Sequence, residues 1–452
     1  MNDILLGPVQ GVQKLLQGDS FAWVRRDTCK GAGDSDYVVS HESLRPLLTS
    51  EHLEWHRHEA LVLAQCGDTH VAIVAIHRTC RGAATGGVRR GVQYANVAAC
   101  LNDVLLLSRA MSRKNALAGL NWGGGKAVIV DCTANRATKE ECDRSLHQFG
   151  ALVSRLRGVF HAAVADIGMT SQDAHQVSRQ SRFVTCLPVW QGGSGDPSAF
   201  TGTGVACALL SALHRIDNET ATFDFFDLAQ RRRLLEKRSV ILQGFGGVGA
   251  KCVDVLSSAG AEVTVLSRSD PSARCTMRAE LLKRPNVTLR IQTDAPTAEQ
   301  LAQFDVFVPC AVGGVLTERL AHELSQCRGK LRLVCGGANN QLASLQVSPL
   351  LAQAGVVYVP DLVANRLGIC RCAEEAFGSF ADPMEDPASQ QHFDPTVETS
   401  LPRTVWALME NKEDTQGAAM ERAEILAEMP HPLFGKSRYQ ALLRAVLSAP
   451  TC

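Results

Sequence analysis

The chain has 452 residues, 45% of them hydrophobic and 20% charged, with 46 Lys+Arg balanced by 46 Asp+Glu. That composition is globular, with core enough for about two or three domains. A net charge of zero argues against a nucleic-acid partner, which would need a basic excess. No run approaches the roughly 18–20 apolar residues of a membrane helix. The opening MNDILLGPVQ lacks the charged and apolar regions of a secretory signal. A cytoplasmic protein with no membrane partner is expected.

Sixteen cysteines are scattered from Cys29 to Cys452 with no CxxC pair. Their density is under half the roughly 8–10% of a disulfide scaffold, and most sit among apolar neighbours, where Cys packs as a small hydrophobe. Reduced thiols and no metal centre are the expectation.

In chain order, the first sixty residues are weakly patterned, with two helix-like stretches. EHLEWHRHEA would put His52 and His56 on one helical face, but HLEWH is not HExxH and no third ligand is evident. HVAIVAIHRT (70–79) reads as a buried strand. Residues 95–113 have helical spacing, and LNWGGGKAVIV then reads as a glycine turn followed by a strand. A helix at 138–157 precedes the strand FHAAVADIGM. PVWQGGSGDPSAFTGTG (188–204) suits a crossover between domains, with a helix from about Thr203 and a polar stretch over 216–238. From Ser239 to about residue 360 strands and helices alternate, as in a doubly wound parallel sheet. A loop-like stretch at 378–395 leads to C-terminal helices. RRRLLEKR (231–238) reads as an exposed helix face.

Residues 239–269 carry a more specific signal. Gly244, Gly246 and Gly249 form GxGxxG after an apolar strand and at a helix start. The spacing permits a tight turn, backbone approach to a pyrophosphate, and close helix–strand packing, with the helix N-terminus facing phosphate. Gly247 and Val248 fall inside the same turn. At the end of the next strand, where an NAD enzyme usually has an acidic residue for the ribose 2′-hydroxyl, this chain has Ser267 and Arg268. A hydroxyl and a guanidinium suit a 2′-phosphate, so NADP is favoured over NAD, although Asp270 lies close by.

Lys114 and Lys126 bracket KNALAGLNWGGGK. A lysine near a second cation and away from water loses proton affinity and can act as a base; salt-bridge partners would equally explain two such lysines. The ordered motifs GAATGGVR (82–89), SRKNALAGLNWGGGKAVI (112–129), VADIGMT (164–170), GGSGDPSAFTGTGV (192–205), GFGGVG (244–249), PCAVGGVL (309–316), GGANNQL (336–342) and YVPDLVAN (358–365) resemble the glutamate/leucine/phenylalanine/valine dehydrogenase family, most of all its leucine branch. The resemblance runs from about residue 60 to about 375, more weakly beyond.

The resemblance implies reversible oxidative deamination of an L-amino acid to a 2-oxo acid and ammonia. Lys126 would be the catalytic lysine, Asp166 the proton shuttle, and Lys114 the partner of the substrate carboxylate. Asn340 and Asn339 would lie near nicotinamide and substrate, with Thr201 and Ala311 also at the cofactor. Thr85 stands where the glutamate enzymes have a lysine, and Cys372 where they have a serine. With Gly86, Val164 and Ile369 these would line a small apolar pocket, since a second substrate carboxylate would be costly to bury there. Leucine, valine and isoleucine differ too little to be separated.

Departures concern the substrate. Arg366 and Arg371 replace a glycine-rich turn and would reshape the pocket or meet the substrate carboxylate, and Asp196 replaces an asparagine. A related biosynthetic dehydrogenase acting on an unusual or aromatic amino acid, and a non-catalytic cofactor-binding relative, are the alternatives. The expected architecture is two-domain α/β. A mixed-sheet substrate and dimerisation domain (1–198) would be completed by C-terminal helices (375–452), and a Rossmann domain would span 199–374. Hinge closure over the reaction and a homo-oligomer are also expected.

Overall fold

The computed structural model describes residues 6–26, 37–67, 69–131, 138–218, 222–270, 272, 275–327, 329–378, 387–435 and 438–448. They form two units, one of residues 1–196, 372–380 and 424–452, the other of 197–371 and 381–423. The first unit is built on an eight-stranded sheet: β1 (Phe21–Arg26), β2 (Tyr37–Val39), β3 (Ala60–Gln65), β4 (His70–Arg78), β5 (Ala84–Arg90), β6 (Gly123–Asp131), β7 (Phe160–Ala163) and β8 (Val184–Thr185), in the order β2-β1-β3-β4-β6-β5-β7-β8. Pairing is antiparallel from β2 through β6 and parallel from β6 through β8.

The apolar run of β4 is continuous because both faces are covered. Ala72, Val74 and Ile76 pack toward Leu146 and Phe149 of the helix Lys139–Arg155. Val71, Ile73 and Ala75 pack toward the helices Pro8–Leu16 and Val97–Leu117.

Three local expectations are corrected in this unit. Among the described residues of the first sixty, the two expected helical stretches, Pro8–Leu16 and the short Arg45–Leu48, are joined by two strands that were not expected, β1 and β2. His52 and His56 lie in turns, so they share no helical face; His56 instead donates its backbone N–H to Nδ1 of the buried His58, at 3.2 Å. The triple glycine is strand rather than turn. Gly123 to Gly125 begin β6, and a Cβ on Gly125 would meet the Phe160 ring at 2.8 Å. Close approach of neighbours, not chain reversal, calls for glycine here.

The second unit carries β9 (Ser239–Gln243), β10 (Glu262–Ser267), β11 (Val287–Ile291), β12 (Val306–Pro309), β13 (Leu333–Cys335) and β14 (Val357–Val359), all parallel, in the order β11-β10-β9-β12-β13-β14. The order reverses between β9 and β12, the switch point where ligands of doubly wound sheets bind.

The helix Ser198–Ile216 begins five residues earlier than expected. It has 19 residues and a mean hydropathy of 1.2, which corrects the expectation that no segment approaches membrane length. It is a core helix: 78% of its most apolar 18-residue window is buried, and it packs on the helix Gly247–Ser258.

Residues 381–423 belong to this second unit, not with the first as expected. The helix Leu401–Met409 lies along Ser198–Ile216, and Trp406 donates its indole N–H to the Ser211 carbonyl at 2.8 Å. Part of the expected loop at 378–395, residues 379–386, lies outside the described residues, as do residues 219–221 of the 216–238 stretch. Within that stretch Leu228–Leu235 is helical.

Candidate active site

Registration between β5 and β6 sets Thr85 opposite Gly124 and Val88 opposite Ala127. Gly87 and Lys126 therefore share one level of the sheet. Along β6, Ala127 and Ile129 enter one core while Val128 and Val130 enter the other. The period of two turns Lys126 onto the face of the helix Val97–Leu117. Its side chain is 6% exposed, and the ammonium donates to Oδ2 of Asp166, in the turn after β7. Gly87 makes the room: a Cβ there would stand 2.7 Å from both Lys126 Nζ and Asp166 Oδ2.

Burial, which penalises charge, is the largest influence on Lys126 and lowers its proton affinity; Arg89 acts in the same direction, and Asp166 opposes. For Asp166 burial acts upward but is outweighed by Lys126 and Arg89, so its carboxyl is held below the ordinary aspartate range. The pair thus combines an ionised carboxylate with a lysine that gives up its proton more readily than a solvated one. That is the equipment for moving protons at a bound substrate.

Lys114 is half-buried on the last turn of the helix Val97–Leu117. The next residue ties that turn to the sheet, as Asn115 Nδ2 donates to the Gly123 carbonyl at 2.6 Å and the Thr85 carbonyl at 3.3 Å. Lys114 and Lys126 are thereby carried on directly connected elements.

Thr85 is fully buried and donates to the Ala83 carbonyl at 3.2 Å. Gly86 needs to be glycine because a Cβ would run into the Gly125 carbonyl oxygen. Val164 is buried beside Thr185, to whose carbonyl its N–H donates. Cys372 is buried with its Sγ 3.3 Å from Cys186 Sγ. Ile369 is buried but falls in the second unit. Arg366 is spent internally, donating to Thr404 Oγ1 at 3.1 Å and the Thr399 carbonyl at 2.6 Å. That corrects its expected place at the substrate; Arg371 is buried too.

Several residues that sequence reasoning missed make further contacts in the first unit. Arg89 Nε lies 3.4 Å from Asp166 Oδ2, and Asp103 and Tyr94 extend the contact outward. Trp122 is buried against His161, with ring centroids 5.5 Å apart, and Phe377 lies 6.2 Å away. Glu375 accepts the backbone N–H groups of Cys186, Leu187 and Ser194, which pins the chain over 186–194 to the helix Leu367–Phe377. Gly87 and Arg89 stand inside GAATGGVR and were within reach; no spacing rule links Asp103 or Glu375 to their partners.

In the second unit the glycine turn fits a dinucleotide. Gly244 has φ +98°, a left-handed conformation that glycine supplies without strain, and a Cβ there would crowd Ala311 at 2.8 Å. A Cβ on Gly249 would overlap the Gly244 carbonyl oxygen, whereas one on Gly247 would meet Ser198 at 2.7 Å. Gly246 differs. Its φ is an ordinary −75°, and a Cβ would meet nothing within 4 Å. Neither conformation nor protein packing asks for glycine there, which leaves close approach of a ligand. Val248 follows in the first turn of the helix Gly247–Ser258.

At the end of β10, Ser267 Oγ donates to the Ser269 carbonyl, and Arg268 is exposed with no ion pair among the described residues. Asp270 accepts the Ser272 N–H at 2.8 Å within its own turn. Asn340 has φ +53° and donates its N–H to Asp361 Oδ2, while Asn339 Oδ1 accepts from Asn365. Thr201 caps back onto the Pro197 carbonyl.

Comparison with known proteins gives matching names. The family description "Glu/Leu/Phe/Val dehydrogenase, dimerisation domain" matches residues 59–182, and "Glutamate/Leucine/Phenylalanine/Valine dehydrogenase" matches residues 192–429. A valine dehydrogenase of Streptomyces albus is 34% identical over 346 residues, covering 76% of this chain and 86% of the relative. A phenylalanine dehydrogenase of Lysinibacillus sphaericus is 32% identical, covering 68% and 73%. The crystal structure of L-tryptophan dehydrogenase from Nostoc punctiforme superposes with a TM-score of 0.60 at 27% identity, over 82% of this chain and 96% of that one.

Proposed function

Because the chain belongs to the glutamate/leucine/phenylalanine/valine dehydrogenase family of NAD(P)-dependent amino acid dehydrogenases, we propose that it catalyses the reversible oxidative deamination of an apolar, leucine-like L-amino acid. The observation that carries this is the buried Lys126–Asp166 pair, for which Gly87 clears the space. A binding module needs neither a buried lysine nor a carboxylate set against it, so a non-catalytic role is disfavoured. Lys114 is assigned to the substrate carboxylate.

Bound at the Gly244–Gly249 turn, a nicotinamide dinucleotide would supply a hydride acceptor for the substrate Cα. Lys126, deprotonated, takes a proton from the water that adds to the substrate iminium. Asp166 moves protons to and from the departing amino nitrogen. These are the transfers that the lowered proton affinity of Lys126 and the ionised state of Asp166 prepare. The products are a 2-oxo acid and ammonia. Thr85, Val164 and Cys372, all buried, bring no cation for a second carboxylate, which favours an apolar side chain over glutamate. NADP is favoured by an exposed Arg268 beside Ser267, with Asp270 engaged in its own turn. A cytoplasmic homo-oligomer acting on small molecules is part of the same reading.

A second reading, an aromatic substrate, is favoured by the Trp122, His161 and Phe377 rings of the first unit. The test is a panel of L-amino acids and 2-oxo acids assayed in both directions with NAD and with NADP. The proposal expects turnover on leucine, valine or isoleucine, little on glutamate, and higher kcat/KM with NADP. Preference for phenylalanine or tryptophan would select the second reading, and preference for NAD would overturn the assignment of Arg268.

A further inference from the structure

Asp166 is held from two sides. Lys126 reaches its Oδ2 from β6, and Arg89 approaches the same oxygen from β5 through Nε at 3.4 Å. Arg89 is itself clamped: NH1 reaches both oxygens of Asp103, on the helix Val97–Leu117, at 3.3 and 3.1 Å. Tyr94 donates its hydroxyl to the same Asp103 Oδ2 at 2.7 Å. Asp166 also accepts the N–H of Ile167 in its own turn. Arg89 and Asp166 are 13% and 17% exposed, so water screens these contacts little. Two cations and two carboxylates make a neutral cluster of which Lys126 and Asp166 lie in the proposed proton path, while Arg89 and Asp103 stand outside it.

From this geometry we infer that Arg89 is a positioning residue for the reaction: its guanidinium, clamped by Asp103, holds the Asp166 carboxylate ionised and turned toward Lys126. The inference rests on the roles proposed for Lys126 and Asp166. Arginine suits the task on two counts. It does not deprotonate in proteins, so Asp166 keeps a cationic partner after Lys126 has given up its proton. Its fork also serves two carboxylates in different directions at once, which the point charge of a lysine cannot.

Removing the Arg89 charge raises the proton affinity of both neighbours, by about one pH unit for a partner at this range. The experiment compares wild type with R89M, R89K and the control R90M, whose native side chain pairs with Asp173 instead. The first readout is the pH dependence of kcat/KM. The second needs no turnover: lysines are reductively 13C-methylated and titrated by NMR, with Lys126 assigned through K126A. In R89M the acid limb and the Lys126 midpoint should both move up by about one pH unit. R89K should restore the limb but not full kcat, and R90M should match wild type. R89Q repeats the test if R89M does not fold. An acid limb or a Lys126 midpoint unmoved in the folded variant overturns the inference. If wild type turns over no amino acid, the proposed function fails, while the NMR titration still decides the role of Arg89.

Discussion

Lys126 and Asp166 are forty positions apart in the chain and meet because β5, β6 and β7 lie side by side. The lysine was legible from SRKNALAGLNWGGGK and the aspartate from VADIG, since both stand within contiguous motifs. Their partners were less so. Asp103 is one acidic residue on an otherwise ordinary helix, and it acquires meaning only once that helix lies over β5. Gly87 is the sharper lesson, since sequence reasoning chose Gly86 of the adjacent pair. The structure instead sets the missing Cβ of Gly87 against Lys126 and Asp166 and that of Gly86 against backbone. Lys126→Ala and Asp166→Asn should each lower kcat by at least about 100-fold, as expected for loss of a positioned proton-transfer group, with an unchanged circular dichroism spectrum. Gly87→Ala should also fold but separate the pair. Its kcat should fall while KM for the cofactor, bound to the other unit, stays within about twofold of wild type. A larger rise in cofactor KM would show that the effect is not confined to the Lys126–Asp166 contact.

At the scale of elements, glycines in this chain answer to three different demands. Gly123 to Gly125 serve packing within a strand, Gly244 a left-handed turn, and Gly246 open space. The first was misread as a turn because glycine runs signal chain reversal and sheet crowding alike, and only the neighbours decide between them. Gly249, whose Cβ would overlap the Gly244 carbonyl oxygen, and Gly246, whose Cβ would meet nothing, give a paired prediction. Gly249→Ala should destabilise the second unit by about 1–3 kcal/mol through overpacking. Gly246→Ala should leave the melting temperature unchanged but raise KM for the cofactor about tenfold, roughly the loss of one good polar contact. A KM unchanged in Gly246→Ala would remove the argument that a ligand approaches there. In the first unit, β7 holds the His161 Nε2 out of solvent with no hydrogen-bond partner among the described residues and, by burial alone, a pKa lowered from 6.5 to about 4. The folded imidazole is neutral where the unfolded one takes a proton, so its contribution is intact above about pH 6.5 and is lost as pH falls toward 4. Urea midpoints at pH 7 and pH 5 should therefore fall further apart in wild type than in H161F. Equal separations would contradict that assignment. Burial of His58, with a pKa lowered to about 3, acts in the same direction in both proteins.

For the whole molecule, the alternating second half was legible, since buried parallel strands are apolar runs between helices and the glycine turn fixes where the sheet begins. Strands β1 and β2 were not: β2 is only three residues long, and both lie toward one end of the sheet. The placement of residues 381–423 was hidden for a related reason. A helix such as Leu401–Met409 shows that it has an apolar face but not which unit that face covers, and the Trp406–Ser211 contact settles it only in three dimensions. The central claim is that this two-unit enzyme removes the amino group of an apolar amino acid. It is tested most directly by steady-state oxidation of leucine, valine, isoleucine, phenylalanine, tryptophan and glutamate by the purified 452-residue chain, with NAD and NADP in parallel. Turnover on a branched-chain amino acid with release of ammonia, at least about tenfold above glutamate, a gap of about 1.4 kcal/mol, is the predicted result. Cofactor binding with no turnover on any of the six, in either direction, would contradict it.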